Sequence, residues 1–468
     1  MGIRRVMTFI QSSSKNIFNL LNRHPAIFLT YCLAICWWGY LSLTSSHFII
    51  FDSEDFMRIA QFFTHGGTVS DYFSTGPNRE PLYPLFIALS LNLSSWCHVP
   101  FELMYNILSF GILFMIVLTI HRSCEMLKFC FPITWIIVTY TCFSPILINS
   151  TLAIYSELLA ALFLLLTAVN FSLLITAAIN KHPIKLHALY LSLSLLGLTL
   201  VKGIGEALSI FIFASLFFII RRYHIRPAIL IMALIIFYAP LTLFKATNYI
   251  YNKHFALTNR ASDSLYGNIT RRSKIPLTAT NVLSQAATVP VSNDICGSLF
   301  TYDQCYQWSM SVGDDTAIHF RQKLAAQQLP DRQQQSLMRQ ETIHHYVNTL
   351  PSQLIYQLIE STKFFFTEMS QGAFVAYAAW IEKIHNHPLV INFFSFVVGG
   401  LLFLSFIINI IEACRRKDAA VLALLGVFVL VAFLFSFVHV LHRYTIPTLP
   451  LLILLGGNAL NYMCRKSN

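Results

Sequence analysis

Three carboxylates, Asp52, Glu54 and Asp55, stand together where an apolar run ends, in the segment FDSEDFMRIAQFF. A carboxylate beside a bilayer is costly unless it is solvated or partnered, so this placement invites a chemical reading. Helical spacing puts Asp52, Asp55, Phe56 and Ile59 on one face, with one or two acids above apolar side chains. An acid so placed can take a proton from a substrate hydroxyl; the alternative is a set of solvated residues marking the membrane exit. Further along, Arg79-Glu80-Pro81 follows a Gly-Pro turn. Arginine at headgroup depth suits a bidentate phosphate contact, or it snorkels and anchors a helix to lipid. Glu157, in NSTLAIYSELLAALF, and Lys202 and Glu206, in KGIGE, lie at the outer ends of apolar runs; they face a water-filled cavity or form ion pairs between helices. HVLHRYTIPTLPLL crowds His439, His442, Arg443 and Tyr444 at another such boundary. Histidines three apart can hold metal, but at an interface they read as amphipathic anchors, and Arg443 reads as a phosphate or headgroup ligand.

These residues need a scaffold, and the composition says which. The chain has 468 residues, 56% apolar and 11% charged, where a soluble chain carries about 25% charged residues. Soluble multidomain and disordered classes are excluded. Apolar runs long enough for a bilayer fall near 26–46, 101–120, 129–148, 152–178, 186–201, 203–221, 226–245, 388–411, 419–440 and 444–463, ten in all. The fold class expected is an all-α polytopic membrane protein. The first run is too far into the chain and lacks a cleavage site, so it is expected to stay as an anchor. The stretch 82–96 is short for a span and reads as an interfacial helix.

The net charge of +11 would suggest nucleic acid in a soluble protein, but here it tracks sidedness. With the N-terminus inside, sixteen basic residues face three acids (Glu125, Glu412 and Asp418) on the cytoplasmic side, and the rest of the chain is nearly neutral. Both termini are then cytoplasmic, and no nucleic-acid partner is called for. Two outer segments exceed a connector: a first outer loop at 47–80 and a segment at 250–387 rich in Gln, Ser and Thr, which is expected to form a small extracytoplasmic domain between membrane modules 1–249 and 388–468. Within it, Cys296 and Cys305 in CGSLFTYDQC are expected to pair as a disulfide, since an oxidising compartment favours one and no further metal ligands stand at a suitable spacing. Asp314-Asp315 read as a solvated turn.

The pattern D-S-x-x-F-x-x-x-A after the first span, followed by R-E-P-L-Y-P-L-F-I-A-L, resembles the polyprenyl-phosphate-dependent glycosyltransferases of the GT-C superfamily, relatives of the protein O-mannosyltransferases and lipid A aminoarabinose transferases. Y-S-E-L at the fourth span, LTNRASDSLYGNITRR after the seventh and RYTIPTLPLL at the last helix fit the same order. The resemblance implies a site on the periplasmic face of a bacterial inner membrane, under juxtamembrane helices of the first outer loop. It implies Asp52 as the catalytic acid, with Asp55 a rival because D-S-E-D leaves the alignment open by a few residues. It implies Arg79 and Arg443, with Tyr444, as donor-phosphate ligands. Glu157, Lys202, Arg260 and Arg271 are the candidate polar residues of the cavity. Relatives often have a second proline where this chain has Glu80, and the effect of that negative charge beside a phosphate ligand is left open.

The chemistry implied is sugar transfer from a polyprenyl-phosphate donor to a glycan, lipid or protein acceptor, by single displacement with inversion. Phosphate is a good leaving group, so the reaction needs cations for its charge and a base for the acceptor hydroxyl, not the carboxylate pair of a hydrolase. No cofactor is required beyond the lipid-linked donor, and a divalent metal stays undecided. The competing readings are a transporter or flippase of lipid-linked sugars, against which no internal repeat is visible, and an envelope assembly factor, which leaves the acid-arginine constellation unexplained.

Overall fold

The computed structural model describes residues 24–74, 77, 79–258, 261–288, 293–329, 331–366, 375–385, 387, 389–390, 393–438 and 442–467. Arg260 and His439 lie outside the described residues, as do the first 23 residues. Among the described residues the chain is helical apart from a single two-stranded pair, and nine helices are long and apolar enough to cross a membrane. They are Pro25–Thr44, Phe101–Met126, Phe131–Leu152, Glu157–Ile179, Ile204–Arg222, Ala228–Asn252, Phe396–Arg416, Ala419–Phe437 and Arg443–Arg465. The tenth expected span, Lys185–Val201, has 17 residues and a length of about 26 Å at 1.5 Å per residue. It stops short because Lys202 is extended (φ −143°, ψ 113°), after which Ile204–Arg222 begins at once. The stretch expected to lie at the interface is the 16-residue helix Leu82–Cys97.

Glu157–Ile179 is the central element: 72% of its apolar window is buried inside the protein, against 17% for Ala228–Asn252, which faces outward. It packs between Lys185–Val201, Ala419–Phe437 and Phe101–Met126. Prolines sit in the first turns of Pro25–Thr44, Phe131–Phe143 and Pro145–Leu152, where the missing N–H costs nothing. Ser144 separates the last two and caps the second through its hydroxyl, so one apparent span is a broken helix. The next run also departs from expectation. Ala153 is extended (ψ 141°) and the helix resumes only at Glu157, so Glu157 opens a helix instead of lying a turn inside one. The unwound Ala153–Ser156 stretch is what brings its neighbour Tyr155 to the site.

The described residues of the 250–387 segment are largely helical too, with small apolar clusters of their own around Tyr266, Ala317, Leu324 and Met338 and around Ile275, Trp308 and Tyr356. Cys296 and Cys305 are disulfide-bonded. Asp314 and Asp315 lie within the helix Met310–Ala326, not in a turn; Val312, Thr316, His319 and Phe320 continue the helical pattern through them. Strand β1, Ser46–His47, pairs antiparallel with β2, Val375–Ala376, and ties the end of this segment to the exit of the first apolar helix.

Candidate active site

Asp52 opens the helix Asp52–Thr64, and its placement is fixed by the corner just before it. Phe51 has φ +54° and ψ −122°, a backbone that side-chain-bearing residues rarely take and that surrounding contacts must hold. The buried Ser53 hydroxyl supplies two of those contacts: it accepts from Ile50 N and donates to Ile50 O, both at 2.7 Å. Tyr155 donates to the same Ile50 carbonyl at 3.3 Å. A relay of hydroxyls from Tyr83 to Tyr105 to the Ala153 carbonyl, 2.8 Å at each step, pins the unwound stretch that carries Tyr155. Below the acids, Phe56, Ile59 and Ala60 are buried, so the apolar face of the helix is the one its spacing predicted.

Arg79 and Arg443 arrive from opposite ends of the chain and grip one carboxylate. Arg79 Nη2 donates to Asp52 Oδ1, and Arg443 Nη2 donates to Asp52 Oδ2 at 2.5 Å. Arg79 also reaches Asp55 Oδ2, at 3.1 Å from Nη2 and 3.3 Å from Nε, and lies over the Phe56 ring. Arg443 lies over the rings of Tyr155 and Tyr444, 4.8 and 5.3 Å from their centroids. Its Nε stands 4.0 Å from Glu157 Oε1, too far for a hydrogen bond, and among the described residues that buried Nε has no hydrogen-bond partner. Glu157 accepts instead from Lys202 Nζ at 3.0 Å, and Lys202 lies over the Tyr444 ring.

Glu80 does not face the arginines' ligand position. Its Oε1 accepts from Gly203 N at 2.9 Å, which clasps the first loop to the Lys202–Gly203 turn and meets an exposed donor near the start of Ile204–Arg222. Glu206 pairs with Lys245, an ion pair between helices and not part of the cluster. Arg271 is likewise elsewhere. It is buried in Ala261–Lys274 and donates to Trp308 O at 2.8 Å and Ser309 O at 2.6 Å, and burial pushes its guanidinium down to about 10. It is a structural residue of the 250–387 segment because its Nη1 satisfies two backbone carbonyls there. Arg58 pairs with Asp55 on the exposed side.

Six charged side chains thus converge: Asp52, Asp55 and Glu157 with Arg79, Arg443 and Lys202. Burial opposes ionisation of Asp52, but the guanidinium groups of Arg443 and Arg79 outweigh it and hold its carboxyl down to about 2. Burial also pushes the Tyr155 phenol up to about 12. The cavity against Arg443, lined by Asn149, Ser150, Tyr155, Glu157 and Ile446, measures about 20 Å³, room for a water and no more.

The spacing in sequence brought out Asp52, Asp55, Arg79, Glu157, Lys202, Arg443 and Tyr444. Phe56 stands on the face that spacing gave it, whereas the roles of Tyr155 and Ser53 were missed. Tyr155 was readable as the residue two before Glu157, but only the break in the helix turns it toward Arg443. Among the described residues no group of three or more His, Cys, Asp or Glu could hold a metal ion. Comparison with protein families, with characterised proteins and with solved structures finds no match to this chain.

Proposed function

We propose that this multi-pass membrane protein is an inverting glycosyltransferase. It moves a sugar from a polyprenyl phosphate to an acceptor hydroxyl at the extracytoplasmic face of a bacterial inner membrane. The observation that carries the reading is one carboxylate held between two arginines drawn from distant parts of the chain, at the ends of apolar helices where a lipid-linked substrate would lie. The resemblance in motif order links this arrangement to sugar transfer, and a base beside two cations suits such a reaction.

In the reaction proposed, the acceptor oxygen attacks the anomeric carbon and the bond from that carbon to the phosphate oxygen breaks. The phosphate leaves with the electron pair, and Asp52 takes the acceptor proton. The developing negative charge falls on Arg79 and Arg443, which are positioned before the reaction and pay no reorganisation cost during it. In the free protein Asp52, with its carboxyl held down to about 2, is too weak a base. The donor phosphate competes for both guanidiniums, and Asp52 loses the partners that depress it just as the substrate arrives. Its basicity rises toward the ordinary carboxylate range, because the phosphate offsets the charge of the guanidiniums and burial favours the protonated form. Asp55, bound by Arg79 and Arg58, is the positioning partner of Arg79. Lys202 and Glu157 complete the wall and keep Arg443 in place.

The test is transfer by purified protein from a radiolabelled polyprenyl-phosphate sugar pool to membrane extract. Asp52→Asn is expected to abolish transfer with an unchanged unfolding profile, and Asp55→Asn to weaken donor use while leaving turnover measurable. Full activity in Asp52→Asn with loss in Asp55→Asn would move the base to Asp55.

A further inference from the structure

A second cleft lies on the 250–387 segment. It has a volume of about 530 Å³, within the range of small-molecule sites. Val312, Asp315, Thr316, His319, Phe320 and Lys323 of Met310–Ala326 form one wall; their spacing is a single helical face. Tyr266 and Lys274 of Ala261–Lys274 face it, and Tyr306 stands at the rim. Tyr266 stacks on Phe320 with centroids 4.5 Å apart, and the exposed Tyr302 stacks on Tyr306 at 5.3 Å. The cleft therefore pairs an exposed aromatic lip, Tyr306 with Tyr302, with hydroxyl, imidazole and ammonium groups, and Tyr266 is buried against Phe320 beside it. Its exposed ammonium groups, Lys274 and Lys323, outnumber its one carboxylate, Asp315.

The lip is also rigid. Cys305, disulfide-bonded to Cys296, immediately precedes Tyr306. The Tyr306 hydroxyl accepts from Ser311 at 3.4 Å, and two residues on the buried Trp308 donates to Ser284 at 3.0 Å. Fixed aromatic faces beside hydrogen-bonding side chains are suited to the flat C–H faces and hydroxyls of sugar rings, and held faces bind with little ordering cost. A neutral sugar has no use for surplus ammonium groups; a sugar bearing carboxylate or phosphate does.

We propose that this cleft binds an anionic oligosaccharide, which on the glycosyltransferase reading is the acceptor glycan. The assignment of the ligand as acceptor rests on that reading, but the binding itself does not. The disulfide then has a job: it holds the aromatic lip against which the glycan stacks.

The experiment is isothermal titration of the full-length protein in detergent with three probes: hexagalacturonate, phosphorylated maltohexaose and neutral maltohexaose. Wild type is expected to bind one or both charged probes, about tenfold or more tighter than the neutral one, since two ammonium contacts at an exposed site are worth that much. The charged probe preferred identifies carboxylate or phosphate as the source of the charge. Lys274→Gln with Lys323→Gln should reduce the charged probes to the level of the neutral one, and Tyr306→Ala should weaken all three. Cys296→Ser with Cys305→Ser should weaken them as well, as should reduction of wild type by a mild thiol. Equal affinity for charged and neutral probes, no binding of any probe, or binding indifferent to Tyr306→Ala would overturn the proposal. Titration needs no turnover, so the same measurement on Asp52→Asn is expected to match wild type. A protein inactive in transfer that still binds the charged probes would sink the transferase reading alone; an active one that binds none would sink this one alone.

Discussion

Replacing Arg443 by glutamine tests the grip on Asp52 more sharply than replacing the acid, because it removes one charge and leaves the base in place. Burial works against ionisation of Asp52, and the charge of Arg443, followed by that of Arg79, is the largest single influence in its favour. Together they lower that carboxyl from 3.8 to about 2, a net stabilisation of the ionised form of about 2 kcal/mol. Without Arg443, Asp52 keeps Arg79 but loses the larger of its two charge partners, and Glu157, 3% exposed at its side chain, keeps only Lys202. The free protein should lose about 1–3 kcal/mol of stability, the usual cost of stripping a partner from a buried polar group, read as a lower unfolding midpoint in detergent. Transfer should fall further, by about 10²–10³-fold in kcat/KM for the donor, because a contact to developing charge is lost as well. Arg443→Lys should recover part of the rate, since ammonium supplies charge without the planar fork. In the double variant Asp52→Asn, Arg443→Gln, the stability losses should be less than additive, because the two residues share one contact. Wild-type kcat/KM in Arg443→Gln, or strictly additive losses in the double variant, would refute the pairing as the basis of the site.

Four further outcomes follow from the same geometry. Ser53→Ala, which strips both clasps on Ile50, should cost about 1–2 kcal/mol of stability and lower kcat more than it raises donor KM, as read by thermal unfolding alongside transfer. Lys202→Met leaves Glu157 without its 3.0 Å partner; unfolding should come earlier, and Glu157→Gln in the same protein should restore part of the loss. Arg79→Ala should weaken donor use more than acceptor use, and equal loss for both would count against a phosphate role. The pH dependence has a fixed sign. A carboxyl depressed in the folded protein stabilises it above the unfolded value and ceases to do so as pH falls through the folded value, so Asp52's contribution is lost between about pH 4 and pH 2. Comparing wild type with Asp52→Asn by acid unfolding checks it: the difference between them should shrink in that window and not near neutrality.

The scaffold was legible because length and apolarity are read directly along the chain. The nine apolar helices follow from runs that cannot be covered in water, and their acids and arginines stand out by being rare in such a background. What the sequence concealed depends on three-dimensional closure. The unwinding at Ala153 leaves no strong mark in TLAIYSEL, yet it sets Glu157 at a helix start and aims Tyr155 at Arg443. Glu80 beside an arginine had no role that the sequence could assign, since its backbone partner Gly203 is 123 positions away. Arg271 had the right residue type in a suggestive stretch, but the carbonyls of Trp308 and Ser309 claim it. Asp314 and Asp315 read as a turn because two adjacent acids are usually solvated; the apolar residues around them keep the helix going.

Mass spectrometry of envelope glycolipids and glycans tests the central claim most directly. Cells with the gene, without it, and without it but carrying the Asp52→Asn protein would be compared. The account predicts that one sugar mass disappears from an envelope acceptor, and its polyprenyl-phosphate form accumulates, both in the deletion and in the Asp52→Asn strain. Identical profiles in all three strains, or full restoration by Asp52→Asn, would contradict it.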